Sequence, residues 1–269
     1  MIDCSWGDFL NESDVSCALQ NVDVVVHLIS TTLPKTSNDN PVYDVESNVI
    51  GTLKLLNLSR QQGVKKIVFI SSGGTVYGNS VQCPISETDA TDPVCSYGIS
   101  KLSIEKYLHL FYHLHGLDYV VLRAANPFGE RQNPRSGQGA VATFLWKFLR
   151  QEPIEIWGDG NISRDYFYIS DLVSAILTAI EEKTPSKLYN IGSGVPHSLN
   201  KLVNFMQRVT GRTKVVQYSP ARKLDVATNF LDISRAQKEL HWQPHSHPGW
   251  NRPYPEMAAT AKARLRVAH

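Results

Sequence analysis

Two hydrophobic periods alternate along the chain. Unbroken apolar runs at Val22-Asp23-Val24-Val25-Val26-His27-Leu28-Ile29, Lys66-Ile67-Val68-Phe69-Ile70, residues 118–122 and Leu188-Tyr189-Asn190-Ile191 are short and rich in β-branched residues, as strands buried on both faces are. Between them, residues 43–62 place Val45, Val49, Leu53 and Leu56 at helical spacing and end at Gly63, a C-cap. Residues 97–114 repeat the pattern through Leu102, Ile104, Leu108, Phe111 and Leu114 and show apolar positions on more than one face. Further helices are expected at 14–20, at 140–150, at 171–182 with Asp171 as N-cap, and at 198–211 with Ser198 as cap. A strand and turn are expected at 154–160. Strands that alternate with helices in this way predict an α/β fold around a parallel sheet.

Composition narrows the class. With 269 residues and 42% hydrophobic content, the chain can bury a large core as one α/β unit or as two small domains. A net charge of +2 gives no reason to expect nucleic acid or an anionic membrane as partner, and no apolar run is long enough to span a bilayer. The start, Met1 to Trp6, has neither the basic end nor the apolar stretch of a signal peptide, so a cytoplasmic protein is expected. Cys4, Cys17, Cys83 and Cys95 show no Cys-x-x-Cys spacing and no matching histidines, so neither zinc nor a disulfide framework is expected. His245 and His247 lack a third ligand, and no metal site is expected there either. His27, interior to the first strand, reads as a packed core histidine.

The chemistry gathers around one stretch. Ser71-Ser72-Gly73-Gly74-Thr75-Val76-Tyr77-Gly78 follows the strand at 66–70, at the carboxyl end where open α/β sheets place ligands. About twenty residues later comes Tyr97-Gly98-Ile99-Ser100-Lys101. On a helix, Tyr97 and Lys101 share one face, one turn apart. A fixed cation near a phenol favours the phenolate, and a phenolate can exchange protons with a substrate hydroxyl.

The pairing of Ser-Ser-Gly-Gly-Thr-Val-Tyr-Gly with Tyr-Gly-Ile-Ser-Lys resembles the extended short-chain dehydrogenase/reductases, and among them the UDP-glucose 4-epimerase-like nucleotide-sugar enzymes. The resemblance runs from about Gly7 to Pro244. It implies a doubly wound parallel sheet of Rossmann type that binds NAD, with a smaller interleaved α/β domain for a UDP-sugar. The first would take 1–126 and 165–193, the second 127–164 and 194–244, with 245–269 an atypical tail. The same resemblance implies cofactor contacts from Asp8 to the adenine amine, and from Phe9, Ile29, Ser30, Asn48, Ser71, Tyr97 and Lys101. Tyr97 would exchange the proton of the sugar 4-hydroxyl, while Lys101 would depress the Tyr97 pKa and hold the nicotinamide ribose. Asn126 is the implied substrate ligand, Arg164 and Arg222 the implied diphosphate clamps, and Asp225 the acidic partner of Arg222. In the family an assisting hydroxyl sits four residues before the Tyr of Val-Tyr-Gly, where this chain has Gly73. Ser72 or Thr75 must then supply it, and Thr75 is preferred. A homodimer through the helices at 43–62 and 97–114 is also implied.

The chain departs from the family in two places. No glycine-rich turn precedes the strand at 22–29, so relative to the family roughly the first fifty to sixty residues are expected to be missing. After Pro244 the sequence has three prolines and little periodicity where a terminal helix is usual. The expected function is an NAD-dependent nucleotide-sugar 4-epimerase. The alternatives are a dehydratase or reductase on the same scaffold, and a remnant that at most binds a nucleotide sugar. A dehydratase fits less well, because Gly74-Thr75 stands where dehydratases of the family carry an Asp-Glu pair. The missing turn leads to the expectation that this polypeptide is weakly active or inactive.

Overall fold

The computed structural model describes residues 4–79, 82–136, 138–213, 215–221 and 226–244. The elements begin with α1 (Glu12–Ala18), β1 (Val24–His27), α2 (Pro41–Asp44), a π-helical segment (Val45–Ile50), α3 (Gly51–Gln61), β2 (Lys66–Ser72), α4 (Ser96–His115) and β3 (Asp118–Ala124). They continue with β4 (Asn126–Phe128), α5 (Ala140–Arg150), β5 (Ile154–Trp157), β6 (Ser163–Tyr168), α6 (Ile169–Glu181) and β7 (Leu188–Ile191). The last are β8 (Pro196–Ser198), α7 (Leu199–Thr210), β9 (Val216–Ser219), β10 (Thr228–Asn229) and α8 (Ser234–Glu239). The chain divides into two compact units, Met1–Asn79 with Glu87–Ala124 and Ile176–Tyr189, and Ser80–Ser86 with Ala125–Ala175 and Asn190–His269.

In the first unit a four-stranded sheet runs in the order β1-β2-β3-β7, and the β1–β2 and β2–β3 pairs are parallel. The unbroken apolar runs become its centre, with Ile67, Val68, Phe69, Val120 and Leu122 completely buried. Leu55 and Leu56 from α3, and Ile104 and Leu108 from α4, close over one face. Burying a side chain of this size stabilises by about 1.5–3 kcal/mol, so Leu56 alone is a sizeable fraction of a domain's net stability. β1 is shorter than the apolar run that predicts it. Val22 N–H turns back to Leu19 O, and beyond His27 the side chains of Leu28 and Ile29 are exposed.

The helix expected at 43–62 starts earlier and is not uniform. Asn40 caps it and Pro41 occupies its first turn, which suits proline because that N–H has no partner inside a helix. The π-helical turn at Val45–Ile50 has a local cause. Ser47 Oγ donates to Tyr43 O at 2.6 Å, Asn48 Nδ2 to Asp44 O at 3.0 Å and Thr52 Oγ1 to Asn48 O at 2.6 Å. Side chains that bond carbonyls one turn back compete with the backbone ladder and widen it.

The second unit is built on β6, which pairs in parallel with β4 and β10 and antiparallel with β8. β5 pairs in parallel with β9 as a separate ribbon. Phe144 and Phe148 of α5 and Phe205 and Met206 of α7 pack with Phe128 and Ile154. Ser198 caps α7 as its sequence predicts, its hydroxyl accepting from Lys201 N–H, and Gly211 ends the helix in the left-handed conformation. Asp171 is a correction: α6 begins at Ile169, so Asp171 lies inside the first turn and is fully buried instead of capping. Among the described residues no helix is long and apolar enough to cross a membrane.

His27 is a packed core residue. Its Nε2 meets Thr52 Oγ1 at 2.8 Å, and its ring lies between those of Phe9 and Phe69, with centroids 5.5 and 5.4 Å away. Burial, with the Lys101 charge second, pushes its pKa down from 6.5 to about 3. The unfolded chain therefore takes up a proton that the folded chain refuses, and stability complete above the ordinary histidine pKa drains away as pH falls toward 3. His27→Gln, which keeps a partner for Thr52 but cannot titrate, should flatten the loss of urea-unfolding midpoint between about pH 6.5 and 4.5. Equal slopes for the two proteins would contradict this account.

Candidate active site

The start of α4 brings the two expected reacting side chains together. Cys95 enters in an extended conformation and offers no side-chain cap. The orphan N–H groups are taken instead by the loop after β1: Tyr97 N–H donates to Ser37 Oγ at 3.0 Å and Ser96 N–H to Asn38 Oδ1 at 2.9 Å. Asp44, fully buried, accepts from Ser96 Oγ at 2.8 Å and Ser100 Oγ at 2.6 Å, and also from Thr32 Oγ1. Gly98 permits the approach to the loop after β2, since a Cβ there would stand 2.7 Å from Thr75 O.

Lys101 is 6% exposed. Its Nζ donates to Ile70 O at 2.9 Å, lies 4.7 Å from the centre of the Phe69 ring and 5.7 Å from that of Tyr97. Burial pushes its pKa down to about 8, against the opposing pull of Glu105 and Asp44. Tyr97 moves the other way. Burial, then Cys95 and Asp44, push its pKa up to about 12, while a hydrogen bond with the Ser30 hydroxyl works against the rise. The expectation that Lys101 depresses the Tyr97 pKa is therefore corrected for the free chain: exclusion of water from the phenol is the largest cause, and it raises the pKa.

The remaining expected residues of this unit fall into two groups. Asp8, Phe9 and Ile29 line an open cavity of about 670 Å³ along β1, together with Gly7, Trp6 and His27. Asp8 is engaged locally, with Leu10 N–H on its Oδ1 at 2.9 Å. Asn48 and Ser71 are held inside the protein. Asn48 Oδ1 accepts Thr31 N–H at 3.0 Å and its Nδ2 donates to Thr32 and Asp44. Ser71 Oγ donates to Glu105 Oε1 at 2.5 Å. Of the two hydroxyls offered for Gly73, Ser72 is half-buried, whereas Thr75 Oγ1 is buried without a hydrogen-bond partner. A buried hydroxyl left unpaired is costly, and it is the group with bonding capacity to spare.

In the second unit Asn126 lies on β4, not in a turn, and its Nδ2 donates to Asp165 O at 3.0 Å. Arg164 on β6 donates through Nη1 to Ser163 O at 2.8 Å and Val226 O at 2.7 Å. Arg222 and Asp225 lie outside the described residues.

The sequence of the NAD dependent epimerase/dehydratase family matches residues 3–192. The chain belongs to that family. As a member of it, the chain has NAD as its cofactor. A dTDP-4-dehydro-6-deoxyglucose reductase from Escherichia coli is 37% identical over 83% of this chain and 71% of its own length. The crystal structure of a UDP-glucose 4-epimerase with UDP-glucose from Thermotoga maritima superposes with a TM-score of 0.90 at 35% identity, covering 98% of this chain and 84% of that one. A UDP-glucose 4-epimerase from Thermus thermophilus in complex with NAD gives 0.85 at 29% identity, with 98% and 84% covered. The parallel α/β fold of the first unit is thus Rossmann-like, as the family resemblance implies.

The residues present fit an NAD-dependent epimerase/dehydratase at two points. The cavity beside Asp8 and Ile29 is open to an aromatic base, and the buried Lys101 ammonium suits a ribose hydroxyl. Among the described residues no glycine-rich turn offers amides to a diphosphate. Three contributors escaped sequence reasoning: Asp44, Glu105 and Arg123. Their signal is a spacing, since Ser96 and Ser100 are four apart beside Tyr97 and Glu105 stands four beyond Lys101.

The Lys101 shift has a measurable sign. Between pH 8 and 10.5 the unfolded chain holds a proton that the folded chain has released, so folding stability should rise with pH in that window. At neutral pH the buried ammonium costs about 3 kcal/mol, the shift from 10.5 to about 8 converted to energy. Urea unfolding from pH 7 to 9.5 should show the rise in the wild type and not in Lys101→Met. A flat wild-type profile would mean that water reaches the ammonium.

Proposed function

We propose that the protein is an NAD-dependent nucleotide-sugar 4-epimerase that acts on a UDP-sugar in the cytoplasm as a homodimer. The observation that carries the reading is the start of α4, where the half-buried Tyr97 and the buried Lys101 stand together, Nζ 5.7 Å from the ring centre, and where Gly98 packs against the backbone of Thr75, whose hydroxyl is unpaired. Bound NAD would supply the hydride acceptor, and then the hydride donor, for the sugar C4. Tyr97 Oη takes the proton of the 4-hydroxyl and returns it. It does so as a phenolate only beside positive charge, and Lys101 supplies that charge. Thr75 Oγ1 steadies the same oxygen with the bond it does not make internally. Asn126, Arg164, Arg222 and Asp225 are assigned to the nucleotide sugar, the arginines because a guanidinium forks onto phosphate oxygens. The four cysteines are free thiols, which suits a reducing compartment.

The 37% identical reductase supports a second reading, in which the hydride is delivered to a keto sugar and not returned. Product analysis separates the two: epimerisation leaves NAD unchanged over many turnovers, whereas reduction consumes one reduced nicotinamide per sugar. With UDP-glucose, and with UDP-N-acetylglucosamine in parallel, the wild type should give the 4-epimer. Tyr97→Phe should lower kcat by about 10²-fold or more, the range of general acid–base catalysis. Thr75→Val should lower it by about tenfold, what one hydrogen bond to a charged group is worth. No 4-epimer from either sugar, with one reduced nicotinamide consumed per molecule of a 4-keto nucleotide sugar supplied in a parallel assay, would replace the epimerase with the reductase.

The dimer is supported by the apolar side chains left exposed on the two implied helices. Val42, Tyr43, Val45 and Ile50 stand out on α2 and the π-helical segment, and Ile99, Leu110 and Leu114 on α4. Light scattering should give twice the chain mass, and Leu110→Glu about half of that value, because a charge at a dry interface is left unpaired. A monomeric wild type would remove the dimer from the proposal and leave the chemistry.

A further inference from the structure

The loop that carries Ser72 and Thr75 is tied at both ends to one buried ion pair. At its start Ser71 Oγ donates to Glu105 Oε1 at 2.5 Å. At its end the Tyr77 ring lies against the Arg123 guanidinium, 4.6 Å from centroid to Cζ. Arg123 closes the circuit, donating through Nε to Glu105 Oε1 at 3.0 Å and through Nη2 to Oε2 at 2.6 Å. Both charged residues are nearly inaccessible, at 3% and 6% exposure. Gly73 N–H adds a tie to Ala124 O at 2.8 Å.

A buried ion pair is weak ground for stability, because removing two charges from water offsets most of their attraction. What this pair does have is geometry. Glu105 stands on α4 one turn beyond Lys101, and Arg123 stands on β3, so helix and strand are both fixed relative to the loop. We propose that the Glu105–Arg123 pair is a positioning device that clamps the Ser71–Tyr77 loop and so fixes where the unpaired Thr75 hydroxyl sits. The chemical meaning of that position rests on the epimerase reading; the clamp itself does not. Ser71, which the family resemblance places on the cofactor, is here the hinge pin of the clamp.

The test uses Ser71→Ala, which removes one tie at little risk to folding, with Ser71→Thr as the conservative rescue and Glu105→Gln as the charge-deleting variant. Amide hydrogen exchange at residues 73–77 should speed up by about tenfold in Ser71→Ala and Glu105→Gln, what one charge-assisted hydrogen bond is worth. Exchange in the β5–β9 ribbon of the second unit should not change. In the same samples kcat should fall while KM for the UDP-sugar stays within about twofold, the pattern of a lost transition-state contact, and Ser71→Thr should restore both exchange and kcat. Unchanged exchange at 73–77 in Ser71→Ala, or acceleration spread evenly over the molecule, overturns the clamp. If Glu105→Gln fails to fold, the Ser71 pair decides alone. If the wild type turns over no nucleotide sugar, the epimerase reading falls while the exchange result still decides the clamp.

Discussion

The ammonium of Lys101 is the group around which the first unit is arranged. It is shut from water by the Phe69 face and strand β2, with the carbonyl Ile70 O as its hydrogen-bond acceptor. A cation in such a place normally gives up its proton. Two carboxylates hold it near neutrality's charged side, Asp44 and Glu105, and neither forms a direct ion pair with it among the described residues. Each is instead saturated by other donors: hydroxyls from α4 and Thr32 at Asp44, and Ser71 with Arg123 at Glu105. The field at Lys101 is therefore set by fixed neighbours, and the ammonium itself stays unclamped by any carboxylate.

The same saturation explains why a π-helical turn sits between α2 and α3. Asp44 ends α2 and Asn48 lies within the π turn, and both side chains reach across to the strand end after β1. A regular ladder would compete with the carbonyl bonds that Ser47, Asn48 and Thr52 make one turn back. Local irregularity and buried charge are thus one feature, since the backbone yields where side chains must serve the site.

Much of this was legible in the sequence. Strand centres such as Ile67-Val68-Phe69 and the helix holding Tyr97 and Lys101 follow from period alone, because burial on both faces and one-face spacing leave direct marks. The cap at Ser198 is read from one residue type. Less legible was Asp171, which looks like a cap but is a buried residue, because the helix starts where β6 ends and no loop intervenes. The short strand that carries Asn126 left no mark, since three residues suffice to pair with Tyr166, Phe167 and Tyr168. Asp44 and Glu105 were invisible for a deeper reason. Charged residues are read by default as solvated, and only the fold reveals that donors from two separate segments converge on each.

The sign of the Tyr97 shift follows from the same dryness. Burial lifts the phenol to about 12 and lowers the ammonium to about 8, so one cause drives two groups apart that begin close together in water. In that state Tyr97 is a held proton and Lys101 a loosely held one. Proton exchange at Tyr97 then depends on how charge near it changes when the pocket fills, because a cation beside the phenol lowers its pKa and further exclusion of water raises it. The fit of Gly98 against Thr75 O matters for this reason. A side chain at that position would meet Thr75 O at 2.7 Å and Pro93 Cβ at 2.9 Å, so helix or loop would have to shift. The pocket's closeness, more than the bare presence of a tyrosine and a lysine four residues apart, is what makes the pair chemically distinct from a chance pair on a solvated helix.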